Sequence, residues 1–385
     1  MTSLPRPLAA CLVSASILAP AVAAAEDESP PLSIYGFARL DVLVNDSKMS
    51  SLDDPSYVMA EPAGGRFESE LTMTPRLSRV GLSIDRWDIK GERIFGEGKV
   101  EIDFAGGSGA NAIRLRHAYA SISAMRRGRG AELLAGQTWD LASPLFPSAQ
   151  NDSQLRYAGN LGDRRPQLRL SVFPMDKVQL AIAAAAPAVL DPVDADADGD
   201  GEPDTMATAR PMLQWLLEVR GRLGDSGEIA RLGISGHAAR SRLPDGTSQS
   251  AASISAHIYL PLSRKGIVLG EGYLGTNLAE IGGGLGHAVN PVTREGVRGL
   301  GGWLELALLP TTRHMLSIGT SIDVARGDDL MPGDRERNGT VYGVLRYKPR
   351  PAIQLGLEHL YWKTEYKDAS RGVANRVNGH FSVFF

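Results

Sequence analysis

The 385-residue chain has almost no cysteine, no long apolar run beyond its start, and no grouping of side chains that reads as catalytic. Its one cysteine, Cys11, lies in an apolar leader, so the chain left after leader removal has neither a disulfide nor a thiol nucleophile. Although 43% of the residues are hydrophobic, no later stretch approaches the roughly 18 consecutive apolar residues of a helical membrane span. A helical membrane protein is thereby excluded. No Ser/His/Asp or Cys/His order and no His/Cys metal spacing appears along the chain, so an enzyme is not expected. Gly282-Gly283-Gly284-Leu285-Gly286 leads from no strand into a helix, which argues against a phosphate cradle and for a flexible outer loop. Bulk charge points to no partner, nucleic acid included: the formal −3 becomes −4 when Arg6 leaves with the leader.

That leader is built as an export signal. Arg6 gives it a positive start, residues 8–22 an apolar stretch, and Ala23-Ala24-Ala25 a small-residue cleavage site ahead of Glu26. Residues 1–25 are expected to be removed, leaving residues 26–385 as one domain. Leu8-Ala9-Ala10-Cys11 imitates a lipoprotein box, but the apolar stretch runs on past Cys11, which argues against lipidation.

What the chain has in quantity is alternation. Ile113 and Leu115 alternate with Arg114 and Arg116, so a strand there puts aliphatics on one face and guanidinium groups on the other. Arginine facing a closed interior suits a barrel whose outside is lipid and whose inside is water. The same period of two recurs in sixteen segments: 32–44, 76–87, 93–104, 112–124, 131–139, 165–173, 177–186, 210–222, 228–240, 250–261, 266–274, 299–309, 313–325, 338–348, 352–362 and 377–385. Short turns and long loops join them in strict alternation. The expected fold is all-β, a sixteen-stranded transmembrane antiparallel barrel with short periplasmic turns and long extracellular loops. Phe385 ends the last segment, with Val377, Phe381 and Val383 outward and His380 and Ser382 inward, the pattern of an outer-membrane assembly signal. Trp87, Phe173, Tyr259 and Tyr347 fall near turn ends, and Tyr273, Trp303, Tyr361 and Trp362 near loop ends, which fits two interfacial aromatic girdles.

Four stretches carry a resemblance: SRVGLSI at 78–84, LRHAYASI at 115–122, LLAGQTWD at 133–140 and RRPQLRL at 164–170. They resemble the DcaP-like outer-membrane porins, densely over residues 76–173 and more loosely beyond. The resemblance implies a sixteen-stranded homotrimeric porin passing small, often anionic, molecules across the outer membrane. Members of that family can carry an N-terminal coiled coil, for which the six residues 26–31 leave no room here. In general porins the loop after the fifth strand folds into the lumen. Its counterpart here is 140–164, stiffened by Pro144 and Pro147.

Extending each register puts Arg79, Arg114, Arg116, Arg165 and Arg169 toward the lumen near Asp103, with Arg156 on that loop. In a narrow pore such a ladder would favour small anions such as carboxylates, because a guanidinium fork matches them and a low-dielectric wall concentrates its field. The same arginines could instead pair with Asp41, Glu101 or Asp103 and brace the wall. Register does not separate the two, and His117 is given no role beyond the wall or an interface. The expected function is a passive-diffusion porin for small hydrophilic solutes, set in a lipopolysaccharide-bearing outer membrane and handed to the assembly machinery through Phe385. An adhesive or structural barrel, or a barrel enzyme, is the alternative.

One loop stands apart. In the extracellular stretch 187–209, Asp196, Asp198, Asp200 and Asp204 surround Gly199 and Gly201 and resemble the calcium loops of thrombospondin-type repeats. Thr205 stands where an EF-hand has its bidentate Glu, and a solvated acidic loop is the other reading. No cofactor is required, and Ca2+ is the one considered.

Overall fold

Alternation in the sequence becomes alternation of burial, with the sign inverted relative to a water-soluble protein. Ile113 is 67% exposed while Arg116 on the same strand is 2% exposed, and Asp103 is fully buried beside outward Ile102 and Phe104. The computed structural model describes residues 31–89, 94–106, 111–150, 153–186, 210–223, 227–242 and 248–385. The export leader and the Asp-rich loop, including Asp196, Asp198, Asp200 and Asp204, lie outside the described residues.

The strands are β1 (Leu32–Asn45), β2 (Glu70–Thr74), β3 (Arg79–Ile89), β4 (Ile94–Gly106), β5 (Ala112–Arg126), β6 (Arg129–Trp139), β7 (Arg164–Met175), β8 (Val178–Ala185) and β9 (Met212–Arg222). They continue with β10 (Ile229–Arg242), β11 (Ser248–Ser263), β12 (Gly266–Thr276), β13 (Arg298–Thr311), β14 (His314–Ala325), β15 (Arg335–Arg350), β16 (Ile353–Tyr366) and β17 (Gly372–Phe384). From β3 onward each pairs antiparallel with the next, and β1 pairs with β17 from Phe37↔Phe384 to Asn45↔Arg376, so the sheet closes. Closure leaves no row of unpaired backbone groups facing lipid. Phe385 completes the seam by exchanging backbone hydrogen bonds of 3.1 Å with Gly36.

Seventeen strands fill sixteen wall positions. The first half of β1 pairs with β3 (Leu32↔Ile84 to Phe37↔Arg79) and the second half with β2 (Asp41↔Thr74 to Asn45↔Glu70). β2 and β3 therefore share one position, split where Pro75 has no N–H to give a ladder. Its five residues were too few to stand out inside a stretch of turn residues, although Leu71 and Met73 point outward.

Two expectations are overturned. Tyr259, Tyr273, Trp303 and Trp362 are all under 10% exposed, so they form no lipid girdle, whereas Tyr361 does face outward. Register explains it: Trp303 lies two residues from inward Glu305, and Trp362 four from inward Glu358. The Gly-rich stretch is no flexible outer loop either. It makes short 3-10 turns at Leu278–Ile281 and Gly284–Gly286, buries Leu278, Ile281 and Leu285, and packs inside the barrel.

Candidate functional site

The interior is divided by the segment between β6 and β7. Residues 140–150 and 153–163 lie inside the barrel, the first of them leaving the wall at Trp139 for the far side, where inward side chains of β9, β10, β12, β13, β15 and β16 receive them. Leu141 N–H donates to Gln214 Oε1 at 2.6 Å, Leu145 N–H to Glu271 Oε1 at 2.7 Å, Ser148 N–H to Glu305 Oε2 at 2.8 Å and Gln150 N–H to Glu358 Oε2 at 3.1 Å. The hydroxyls of Ser143 and Ser148 also donate to Glu271 and Glu305. Ser235 on β10 and Arg346 on β15 donate to the carbonyls of Ala142 and Ser148. A loop inside a barrel has no neighbouring strand to satisfy its backbone, and the wall supplies carboxylates and an amide in place of a ladder.

Apolar packing reinforces the crossing. Leu145 packs among Tyr259, Ile267, Leu269 and Trp303, while Leu155 and Ala158 pack against Tyr342, Leu360 and Trp362. The aromatics missing from a girdle thus hold the loop. Gly159 permits the closest approach: it adopts φ +116°, and a Cβ there would lie 2.5 Å from the Gly302 carbonyl oxygen. The Gly-rich segment buttresses the return, with Tyr157 N–H donating to Gly282 O and Gly162 N–H to Ile281 O, both at 2.6 Å.

On the opposite wall lies a charge cluster. Arg114 grips Asp103 with two bonds of 2.9 and 2.6 Å, and Arg116 bridges Glu101 (2.8 Å) and Asp103 (2.7 Å). Arg79 and Lys99 approach Glu101 at 3.5 and 3.2 Å, and Tyr35 donates to it at 2.8 Å. Four cationic side chains thus face two carboxylates. A bulge in the β4–β5 pairing places Arg116 and His117 both inward, where His117 meets Thr138 at 3.1 Å.

The remaining arginines of the expected ladder stand elsewhere. Arg165 pairs with Asp140 at 2.8 Å and donates to Glu280 O at 2.9 Å, fastening the root of the loop. Arg169 donates to Gln167 Oε1 at 2.7 Å and to the Trp139 carbonyl. Arg156 meets Asp163 at 3.0 Å beside the Tyr157 ring. Burial pushes the Asp163 carboxyl up, but the Arg156 and Arg164 guanidinium groups outweigh it and hold it below the usual carboxylate range. Between these groups opens a water-accessible cavity of about 400 Å³, bordered by Arg114, Arg156, Arg164, Asp54, Asp163 and Trp139.

Sequence reasoning missed Glu271, Glu305 and Glu358. For Glu271 and Glu305 the signal was the one carboxylate of the strand, as with Glu305 between Leu304 and Leu306; Glu358 shares its strand with Glu365 and gave none. It also missed a spatial series: Ser253 Oγ lies 2.6 Å from His237 Nδ1, and His237 Nε2 lies 3.1 Å from Glu280 Oε1.

No protein-family model and no curated protein matches the sequence. Solved structures do. The outer-membrane channel DcaP of Acinetobacter baumannii matches with a TM-score of 0.77 at 17% identity, covering 94% of this chain and all of that one. The fold is a porin fold. An anion-selective porin from Comamonas acidovorans matches at TM-score 0.61 and 10% identity over 93% of this chain and 100% of its own. The trimer form of OmpT, an outer-membrane protein of Vibrio cholerae, matches at TM-score 0.55 and 11% identity over 93% and 100%.

Proposed function

We propose that this chain is an outer-membrane channel for passive diffusion of small hydrophilic solutes with a preference for small anions such as carboxylates. One observation carries the reading: an apolar-outside barrel whose interior is crossed by a fastened loop, leaving a cavity with Arg114, Arg156 and Arg164 on its border. The outer membrane is its place on this reading, with the export leader and Phe385 directing it there. A homotrimer is the assembly the reading favours, as in the trimer form of the Vibrio neighbour.

The anion preference rests on the guanidinium groups that border the cavity, those of Arg114, Arg156 and Arg164, and the likeness to an anion-selective porin is consistent with it. Most of the lumen arginines also brace the wall, so selectivity falls on those that reach water: the Arg114 side chain is 27% exposed and that of Arg116 3%. Liposome swelling tests the reading. Proteoliposomes should admit a small monocarboxylate faster than a cation of equal size, and equal rates would remove the anion preference.

A barrel hydrolase is the second reading, favoured by the Ser253–His237–Glu280 series. Each of the three is at least nine-tenths buried, and Glu280 sits in the segment packed within the barrel. We assign the series to fastening that segment. A fluorophosphonate probe should leave Ser253 unlabelled, and labelling would restore the enzyme.

A further inference from the structure

The short-turn end of the barrel carries an arc of positive charge that its own carboxylates do not answer. The turns joining β11 to β12, β13 to β14 and β15 to β16 follow one another along the rim, and residues 262–266, 309–314 and 347–353 include Lys265, Arg313, Lys348 and Arg350 but no aspartate or glutamate. Backbone bonds tie the turns together: Leu309 N–H donates to Lys265 O at 2.9 Å and Lys348 N–H to Arg313 O at 2.8 Å. Lys265, Arg313 and Arg350 are exposed, while Lys348 lies over the Phe384 ring, 5.7 Å from its centroid. At the other end of the same strands exposed cations meet carboxylates, Arg298 with Asp329, Arg326 with Asp328 and Arg337 with Glu365.

Beside the arc the wall is apolar and aromatic. His314 and Tyr347 pair across β14 and β15 with their rings stacked 4.7 Å apart, in the outward register of Leu316 and Leu345, which are 38% and 43% exposed. Leu262 at the first of the three turns is 56% exposed. Acyl chains cover such a surface, and the cations stand where it ends, at the depth of lipid headgroups. A soluble polyanion would meet the cations but leave the ring stack and the leucines uncovered. A phospholipid covers both with one molecule.

We propose that this arc binds the phosphate headgroups of anionic phospholipids in the leaflet facing the periplasm, with Lys265, Arg313 and Arg350 toward the phosphates and the His314–Tyr347 stack against the chains. Ammonium and guanidinium groups near a membrane surface attract anionic lipid, and a guanidinium fork matches phosphate oxygens. The contact fixes the depth of the turn end. It is independent of which solutes the channel passes: the leaflet follows from the porin reading, whereas the affinity for lipid does not.

Native mass spectrometry of the purified full-length protein, in detergent micelles doped equally with phosphatidylglycerol and phosphatidylcholine, tests it. The wild type should retain phosphatidylglycerol several-fold over phosphatidylcholine, and excess inorganic phosphate should not displace it. Lys265→Gln, Arg313→Gln and Arg350→Gln together should abolish the preference. Arg326→Gln with Arg337→Gln, at the opposite end, should keep it, with both variants showing the far-ultraviolet circular dichroism of the wild type. No preference in the wild type, equal loss in both variants, displacement by free phosphate, or a turn variant that keeps the lipid but no longer binds isolated peptidoglycan would overturn the proposal.

Discussion

At the scale of single residues, facing the lumen and being available to a solute are different properties. Arg114 and Arg116 read identically in the sequence, yet one borders the cavity and the other is clamped between two carboxylates. Arg114→Ala should shift selectivity, at a smaller cost in stability than Arg116→Ala because Arg116 still holds Asp103. Arg116→Ala should cost about 1–3 kcal/mol, since it deprives Glu101 and Asp103 of buried charged donors, and should change selectivity less. Reversal potentials and chemical unfolding of the two variants check this, and the opposite ranking would contradict it. Period-two alternation made both arginines legible as inward. It offered Glu101 and Asp103 as partners but could not show which arginine each holds, because they lie on another strand and the bulge at Arg116 and His117 shifts the register locally.

The Asp163–Arg156 pair makes a pH prediction at the same scale. The folded-state pKa of Asp163 is lowered, so its stabilisation is present above the unfolded value of about 3.9 and fades as pH falls toward the folded one. Its side chain is 35% exposed, and solvent keeps the pair's contribution within about 0–1 kcal/mol. Open-channel noise should therefore stay constant between pH 8 and 5 and rise only in stronger acid. A rise near pH 6 would assign the loop's steadiness to another group.

At the scale of elements, the inward loop is a strand-like crossing whose ladder is made of side chains. Glu305 accepts from Ser148 N–H, Ser148 Oγ and Tyr342 OH, so Glu305→Ala leaves buried donors unpaired. A loss of about 1–3 kcal/mol is expected, with increased flicker between conductance levels. Gly159→Ala should act similarly by pushing the loop off β13, and a quiet, equally stable channel in both variants would show that the loop does not depend on these anchors. The sequence marked the loop through its prolines and its place between 131–139 and 165–173. Its seat was hidden, because Tyr259, Trp303 and Trp362 at inward positions look like girdle residues until something apolar is known to cover them.

At the scale of the whole molecule, the inversion of polarity dominates and was the most legible property. Sixteen stretches of alternation, each too weak alone to distinguish a strand in a sandwich from one in a barrel wall, agree in period and in the rhythm of short and long connections. The wall follows from local pattern. The filled half of the interior does not, because it depends on contacts more than a hundred residues apart, such as Ser148 with Glu305 and Trp303 with Asn160.

An open channel biased toward anions shows itself in single-channel recording of the purified protein in a planar bilayer under a salt gradient. Conductance in steps of three with a reversal potential on the anion side is the predicted result. Absence of conductance, or a reversal potential on the cation side, would contradict it.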